Sequence, residues 1–142
     1  MARVSISITS EQAYAMRDAL DLYSRLCIGQ LEEIVRLVER GVIPAAQAAG
    51  HNRTNATAEQ IAQAAEHLGR CKDALGYPRN GSNGIGHPHV DASAHRAYEI
   101  QKVLAQALAN HSNPNPQFKG VDYDGLGPRY TLDPEPVATI TP

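Results

Sequence analysis

Tryptophan is absent from this 142-residue chain, and Phe118 is its sole phenylalanine. Leucine, isoleucine, valine, alanine and six tyrosines must therefore supply the interior. Cysteine is scarce as well. Cys27 and Cys71 fall inside predicted helices among apolar residues, so they read as buried free thiols of a reducing cytosol rather than a disulfide. A strong charge of one sign is missing too: the formal net charge is −2, which argues against the basic field that non-specific nucleic-acid binding needs. No apolar run approaches the ~18 residues that cross a bilayer. The opening MARVSISITSEQ lacks the apolar centre of a secretory signal, so a cytoplasmic protein with no membrane partner is expected. The length fits one domain, residues 1–142, which can bury roughly 70% of its unfolded surface without staples or metal.

What is present is a contrast between helical and non-helical halves. Val4-Ser5-Ile6-Ser7-Ile8 alternates with period two and reads as a short N-terminal strand. Thr9 or Ser10 then caps a helix expected to run uninterrupted over about residues 10–40. Met16, Leu20, Tyr23, Cys27, Ile34 and Val38 recur along it at helical spacing. Ala19, Leu22, Leu26, Leu31, Val35 and Leu37 widen that stripe beyond a narrow seam. Such breadth calls for neighbours on more than one side, a partner subunit among them. Gly41 and Pro44 end the run.

Thr57 and Gln60 form a capping box for a second helix over about 58–75, with Ile61, Ala64, Ala65, Leu68, Cys71 and Leu75 on one face. Residues 77–90 (YPRNGSNGIGHPHV) are dense in glycine, proline and asparagine and read as a loop. Asp91 or Ser93 caps a third helix ending near 110–111, its apolar face formed by Ala94, Ala97, Tyr98, Ile100, Val103, Leu104, Ala107 and Leu108. The tail, residues 111–142, cannot be helical. Residues 121–123 and 129–132 suit a hairpin around Asp124-Gly125-Leu126-Gly127-Pro128, and residues 137–140 suit pairing with the N-terminal strand. The fold class expected is α+β, mainly α: long antiparallel helices with a small C-terminal β or extended cap, in a homo-oligomer.

Catalytic motifs are weak. Asn83-Gly84-Ile85-Gly86 has neither the lysine of a phosphate loop nor the preceding strand of a dinucleotide fingerprint, so a connector is the better reading. His87, His89 and His95 lack a fourth ligand, and no metal is expected there. Asp122 and Asp124 suit turns before glycine better than a magnesium site. No nucleophile with a base stands out, no cofactor is implied, and a non-enzyme is expected.

The tail carries the ligand-binding candidates. Arg129 lies between Pro128 and Tyr130, near Tyr123 in the expected hairpin. Arginine presents a fixed fork of donors to phosphate oxygens, and tyrosines offer faces for stacking a base. Asn113 and Asn115, braced by Pro114 and Pro116, can read a base edge or ribose hydroxyl. The plainer alternative is that the tyrosines cover helix ends and Arg129 pairs with Asp122, Asp124 or Asp133.

Two stretches add a resemblance: Met16-Arg17-Asp18-Ala19-Leu20-Asp21-Leu22-Tyr23-Ser24-Arg25-Leu26-Cys27-Ile28-Gly29-Gln30 and Val121-Asp122-Tyr123-Asp124-Gly125-Leu126-Gly127-Pro128-Arg129-Tyr130-Thr131. Together they resemble the phage anti-Thoeris family, small proteins that sequester the cyclic ADP-ribose-type signal of a bacterial immune TIR enzyme. The resemblance implies a non-catalytic sponge in the bacterial host cell, assembled as a dimer or hexamer, with a pocket near a dimer interface. Some members also bind cyclic di- or trinucleotides at a basic site between subunits. Carried over, Arg129 corresponds to the phosphate-binding arginine and Asn113 to the asparagine. Tyr98, Tyr123 and Tyr130 are candidates for the stacking aromatic. Residues 41–90, with a helix of their own, put the second site in doubt, although Arg53, Arg70 and Arg96 are placed to contribute to one. Two alternatives remain open: a structural or protein-interaction phage accessory module without a small ligand, and a metal-dependent phosphohydrolase using Asp122, Asp124 or the histidine group.

Overall fold

Thr9 fixes the start of the first helix. Its hydroxyl accepts the Gln12 amide at 3.2 Å, while the Gln12 side chain accepts the Thr9 amide at 2.9 Å, a reciprocal cap that satisfies two end groups. The computed structural model describes residues 2–46, 54–131 and 135–141. Helix α1 spans Ser10–Cys27, α2 Glu32–Glu39, α3 Ala58–Ala74 and α4 Ala92–Ser112, followed by a 3-10 turn at Val121–Tyr123. The sequence reads as one domain; by its internal contacts the chain divides into two compact units, Met1–Cys27 with Gly84–Pro142, and Ile28–Asn83.

The expected helix over 10–40 is broken, and Gly29 is the reason. It adopts φ +93°, and a β-carbon there would lie 2.5 Å from the Tyr77 ring. Only glycine enters that conformation without cost. The Asn83 amide donates to the Ile28 carbonyl at 2.9 Å, partnering a group that the interrupted helix leaves free.

In the first unit α1 and α4 pack against each other. They run antiparallel: the Tyr14 hydroxyl meets Ser112 Oγ at 2.6 Å at one end, and the Tyr23 hydroxyl meets Ser93 Oγ at 2.8 Å at the other. Asp91 caps α4 by accepting the Ser93 amide at 2.8 Å, and the Ser93 hydroxyl and amide hold its carboxyl below the usual range. Alanines at 94, 97 and 105 are buried and let the helices approach closely. Ala13, Leu104 and Leu108 form the core, with Tyr14 and Met16 packed on it.

The second unit packs α2 on α3. The Thr57–Gln60 capping box is formed. The expected apolar face is buried only in part: Ile61, Ala64 and Leu68 are half-buried and Leu75 is 67% exposed, whereas Lys72, one turn beyond Leu68, is 2% exposed. The Lys72 ammonium donates to Glu32 Oε2 at 2.9 Å. Burial pushes the Glu32 carboxyl up, but the Lys72 hydrogen bond and charge, with its own backbone and Arg36, hold it below its ordinary value. Both cysteines are free. Cys27 is half-buried and Cys71 exposed, so the expectation of two buried thiols fails at Cys71.

Among the described residues the β elements expected of the sequence are not formed; Leu132 of the second hairpin strand lies outside them. Among the described residues the β pairing is an isolated bridge between Ala45 and Thr54. Residues 4–8 form no strand, with Val4 86% and Ile6 68% exposed. Residues 137–140 are likewise unpaired. In place of the first hairpin strand, residues 121–123 wind into the 3-10 turn, closed by Tyr123 N–H to Gly120 O at 3.0 Å. The fold is mainly helical, and no helix among the described residues is long and apolar enough to cross a membrane.

Gly29→Ala should cost at least ~2 kcal/mol, from the left-handed backbone together with the ring clash. Gly76→Ala, at φ +81° with open space around it, should cost about 1 kcal/mol. Chemical denaturation of the two variants checks the difference.

Candidate functional site

Glu99 organises the tail. It lies on α4 and is 7% exposed. Its Oε1 accepts the Tyr130 amide at 2.7 Å and the Thr131 amide at 3.0 Å, and its Oε2 accepts the Thr131 hydroxyl at 2.6 Å. Burial pushes the Glu99 carboxyl up. The hydrogen bonds from the Thr131 hydroxyl and amide and the Tyr130 amide outweigh that, aided by the Arg129 charge, so its pKa lies below the usual carboxylate value. A segment without a ladder of its own thereby gains fixed backbone partners.

Tyr130 is locked by the same clamp. Its ring lies 5.5 Å from the His95 ring and meets Tyr98 edge-on at 6.0 Å. It also fills the space a β-carbon at Gly86 would need, with Cε1 2.8 Å away. His95 Nε2 lies 2.8 Å from the Ile85 carbonyl, which makes Nε2 the protonated nitrogen. Burial, and then Tyr130, push the Tyr98 phenol up.

The two candidate arginines converge on one residue. Arg96 Nε donates to the Glu135 carboxylate at 2.7 Å, and the Arg129 guanidinium donates to the Glu135 carbonyl and, at 3.2 Å, to Thr131 Oγ1. Glu135 pushes the Arg96 guanidinium further up. Asp133, one of the expected acidic partners of Arg129, and Arg53 lie outside the described residues.

A groove of ≈ 350 Å³ opens beside this cluster, lined by Arg17, Asp18, Asp21, Arg25, Tyr98, Gln101, Lys102, Val121 and Asp122. Tyr98 belongs to both. Arg17 pairs with Asp18 at 2.6 Å and lies 5.1 Å from the Tyr14 ring centroid, while Arg25 pairs with Asp21 at 2.7 Å. Lys102 donates to the Val121 carbonyl at 3.2 Å and has no carboxylate partner among the described residues. Such a volume lies within the range of small-molecule sites. Its guanidinium groups match phosphate oxygens, its carboxylates accept from hydroxyls, and Tyr98 offers a ring face.

The six residues predicted for ligand binding therefore fall into two groups. Arg96, Tyr98, Arg129 and Tyr130 come together near the start of α4. Asn113 and Tyr123 meet at its far end, about 20 Å away by helix rise. There the Tyr123 hydroxyl donates to the carbonyls of Asn113 at 2.8 Å and Ala109 at 3.4 Å, capping α4. Tyr123 is thus not beside Arg129, as the hairpin expected. Gly125 at φ +68° turns the chain, and the Gln106 side chain donates to the Tyr123 carbonyl at 3.1 Å, holding Tyr123 on the helix.

The histidines do not converge. His87 and His89 rings are 5.2 Å apart, and no group of three or more His, Cys, Asp or Glu among the described residues is placed to hold a metal ion. In the second unit a cleft of ≈ 320 Å³ is lined by Glu32, Val35, Leu68, Lys72 and Arg79 among others. Its cations are committed: Lys72 to Glu32, Arg79 to Asp73 and Glu66, and Arg36 to Glu33. Arg70, considered for a second basic site, pairs with Glu66 at 3.1 Å.

Glu99, Glu135 and the groove cations escape sequence reasoning. A lone glutamate between Ala97 and Ile100 was a faint signal for a buried clamp, and nothing local marks Glu135. No protein-family model matches the chain, and no curated protein or solved structure matches it.

Glu99→Ala should cost about 2 kcal/mol by leaving the two tail amides without their acceptor. The folded pKa of Glu99 is depressed, so its contribution is present above the unfolded value of about 4.5 and is lost as pH falls through the folded value. The amide resonances of Tyr130 and Thr131 should hold their positions from neutral pH down to that value and move only below it.

Proposed function

We propose that the protein is a non-catalytic sponge for a cyclic ADP-ribose-type signalling nucleotide, acting as a homo-oligomer against bacterial Thoeris defence, as its resemblance to the anti-Thoeris family implies. The observation that carries this reading is that Tyr98, which lines the groove, also meets the ring of the clamped Tyr130. A nucleotide needs a ring face, acceptors for ribose hydroxyls and cations for phosphate. The groove offers Tyr98, the aspartates 18, 21 and 122 and arginines 17 and 25, and the tail cluster on another face of α4 adds arginines 96 and 129. Each of the ion pairs now made by Arg17, Arg25 and Arg96 has at least one partner open to solvent, and such screened pairs contribute little. Phosphate oxygens can take the place of their carboxylates at small cost.

Tight capture by a sponge requires a preorganised pocket, since nanomolar binding corresponds to about −12 kcal/mol. The Glu99 clamp supplies preorganisation by fixing the Tyr130 and Thr131 backbone before any ligand arrives. Cyclic di- or trinucleotides remain candidates for a second ligand. The alternative, a structural or protein-interaction module, draws support from the exposed Val4, Ile6, Phe118 and Val121 and from arginines already engaged within the chain.

Native mass spectrometry after incubation with cyclic ADP-ribose-type signal from an activated TIR enzyme should give an oligomer carrying about one ligand mass per subunit, released unmodified on denaturation. Arg129→Ala and Tyr98→Ala should each weaken capture by at least about tenfold while leaving the oligomer intact. An oligomer that gains no mass would favour the interaction module.

A further inference from the structure

The two arginines of the tail cluster point at a single residue, and that residue is an acid of the same chain. Arg96 Nε reaches the Glu135 carboxylate at 2.7 Å, and the Arg129 guanidinium reaches the Glu135 carbonyl. We propose that Glu135 is an internal stand-in for a phosphate group: its carboxylate occupies the anion subsite of Arg96, its backbone carbonyl takes up the Arg129 guanidinium, and a bound diphosphate displaces both. The inference rests on the reading of these arginines as ligand-facing and adds the competitor that sets their affinity.

Three features favour displacement over a permanent brace. The Arg96 side chain is 52% exposed against 20% for Glu135, so an incoming anion reaches the pair from the arginine side. Arg96 engages Glu135 through Nε, while neither of its terminal nitrogens has a hydrogen-bond partner among the described residues. A diphosphate offers more oxygens than one carboxylate and can use those remaining donors in a forked arrangement. The anchor of the tail is also separate from this contact. Glu99 holds the backbone at 130 and 131, so Glu135 can leave while Arg129 stays where the clamp puts it.

The neighbouring charges set the selectivity. Glu99 and Asp91 both act on Arg96, and Arg129 acts on Glu99. With Glu135 in place these five groups sum to −1, which opposes an incoming anion. With Glu135 displaced the sum is zero. The fork therefore favours an anion able to make several hydrogen bonds at once, as a diphosphate does, over chloride or a simple carboxylate.

The test uses the full chain, inorganic pyrophosphate as probe, and isothermal titration calorimetry at low salt. Glu135→Gln keeps the backbone carbonyl that Arg129 uses and removes the competing charge. It should bind pyrophosphate about fivefold more tightly than the wild type, the upper range for an exposed charge pair. Adding Arg96→Ala to Glu135→Gln should abolish the gain. Unchanged or weaker binding by a Glu135→Gln protein with wild-type melting temperature would overturn the inference, as would a gain that persists without Arg96. Capture of cyclic ADP-ribose by the wild type, measured in parallel, separates the two readings. Capture without a Glu135→Gln gain leaves the sponge and removes the stand-in, and a gain without capture does the reverse.

Discussion

A buried carboxylate with three hydrogen bonds is the constraint on which the C-terminal third depends. Residues 124–131 lack a helix, a strand ladder and any large buried apolar side chain of their own, so they have little to offset the entropy of being ordered. Glu99 supplies fixed acceptors in their place. Because the carboxylate is buried, each bond is stronger than it would be in water and costly to leave unmade. The position of Tyr130 over Gly86, its contact with Tyr98, and the meeting of Arg129 with Glu135 all follow from that one anchoring point.

The helices provide the platform. Buried alanines on α4 let α1 approach, and tyrosine–serine pairs at both ends fix the antiparallel alignment of the two helices. The same α4 presents its small residues to α1, Tyr98 and Lys102 to the groove, and Arg96 and Glu99 to the tail. In the second unit the buried Lys72 ammonium reaches the Glu32 carboxylate, whose side chain is 41% exposed, so its charge is paired rather than left alone in the interior.

Local chemistry was legible in the sequence. The cap at Thr57 and the third helix are as read, and Thr9 and Asp91 cap their helices, each one of the two residues read there, because a cap rests on neighbours within a few residues. Three features were not legible, each for a physical reason. The break at Gly29 depends on the Tyr77 ring, 48 positions away, which removes the option of an alanine-like helix there. The predicted strands at 4–8 and 137–140 have the right alternation but find no ladder among the described residues, and a strand without a partner is not stable in isolation. Lys72 and Glu99 lie on faces read as apolar, and only their distant partners, Glu32 and the tail amides, make burial tolerable. Of the candidate site, Arg96, Tyr98, Arg129 and Tyr130 were found from residue chemistry. Asn113 and Tyr123 were assigned with them but are joined to each other at the far end of α4.

The central claim is that Glu99 preorganises the tail before a ligand arrives. Amide hydrogen exchange at Tyr130 and Thr131 in the ligand-free protein at neutral pH tests it most directly. Both amides should exchange far more slowly than those of the unpaired residues 137–140, and Glu99→Ala should bring them to the same rate. Rapid exchange at Tyr130 and Thr131 in the wild-type chain would contradict the account.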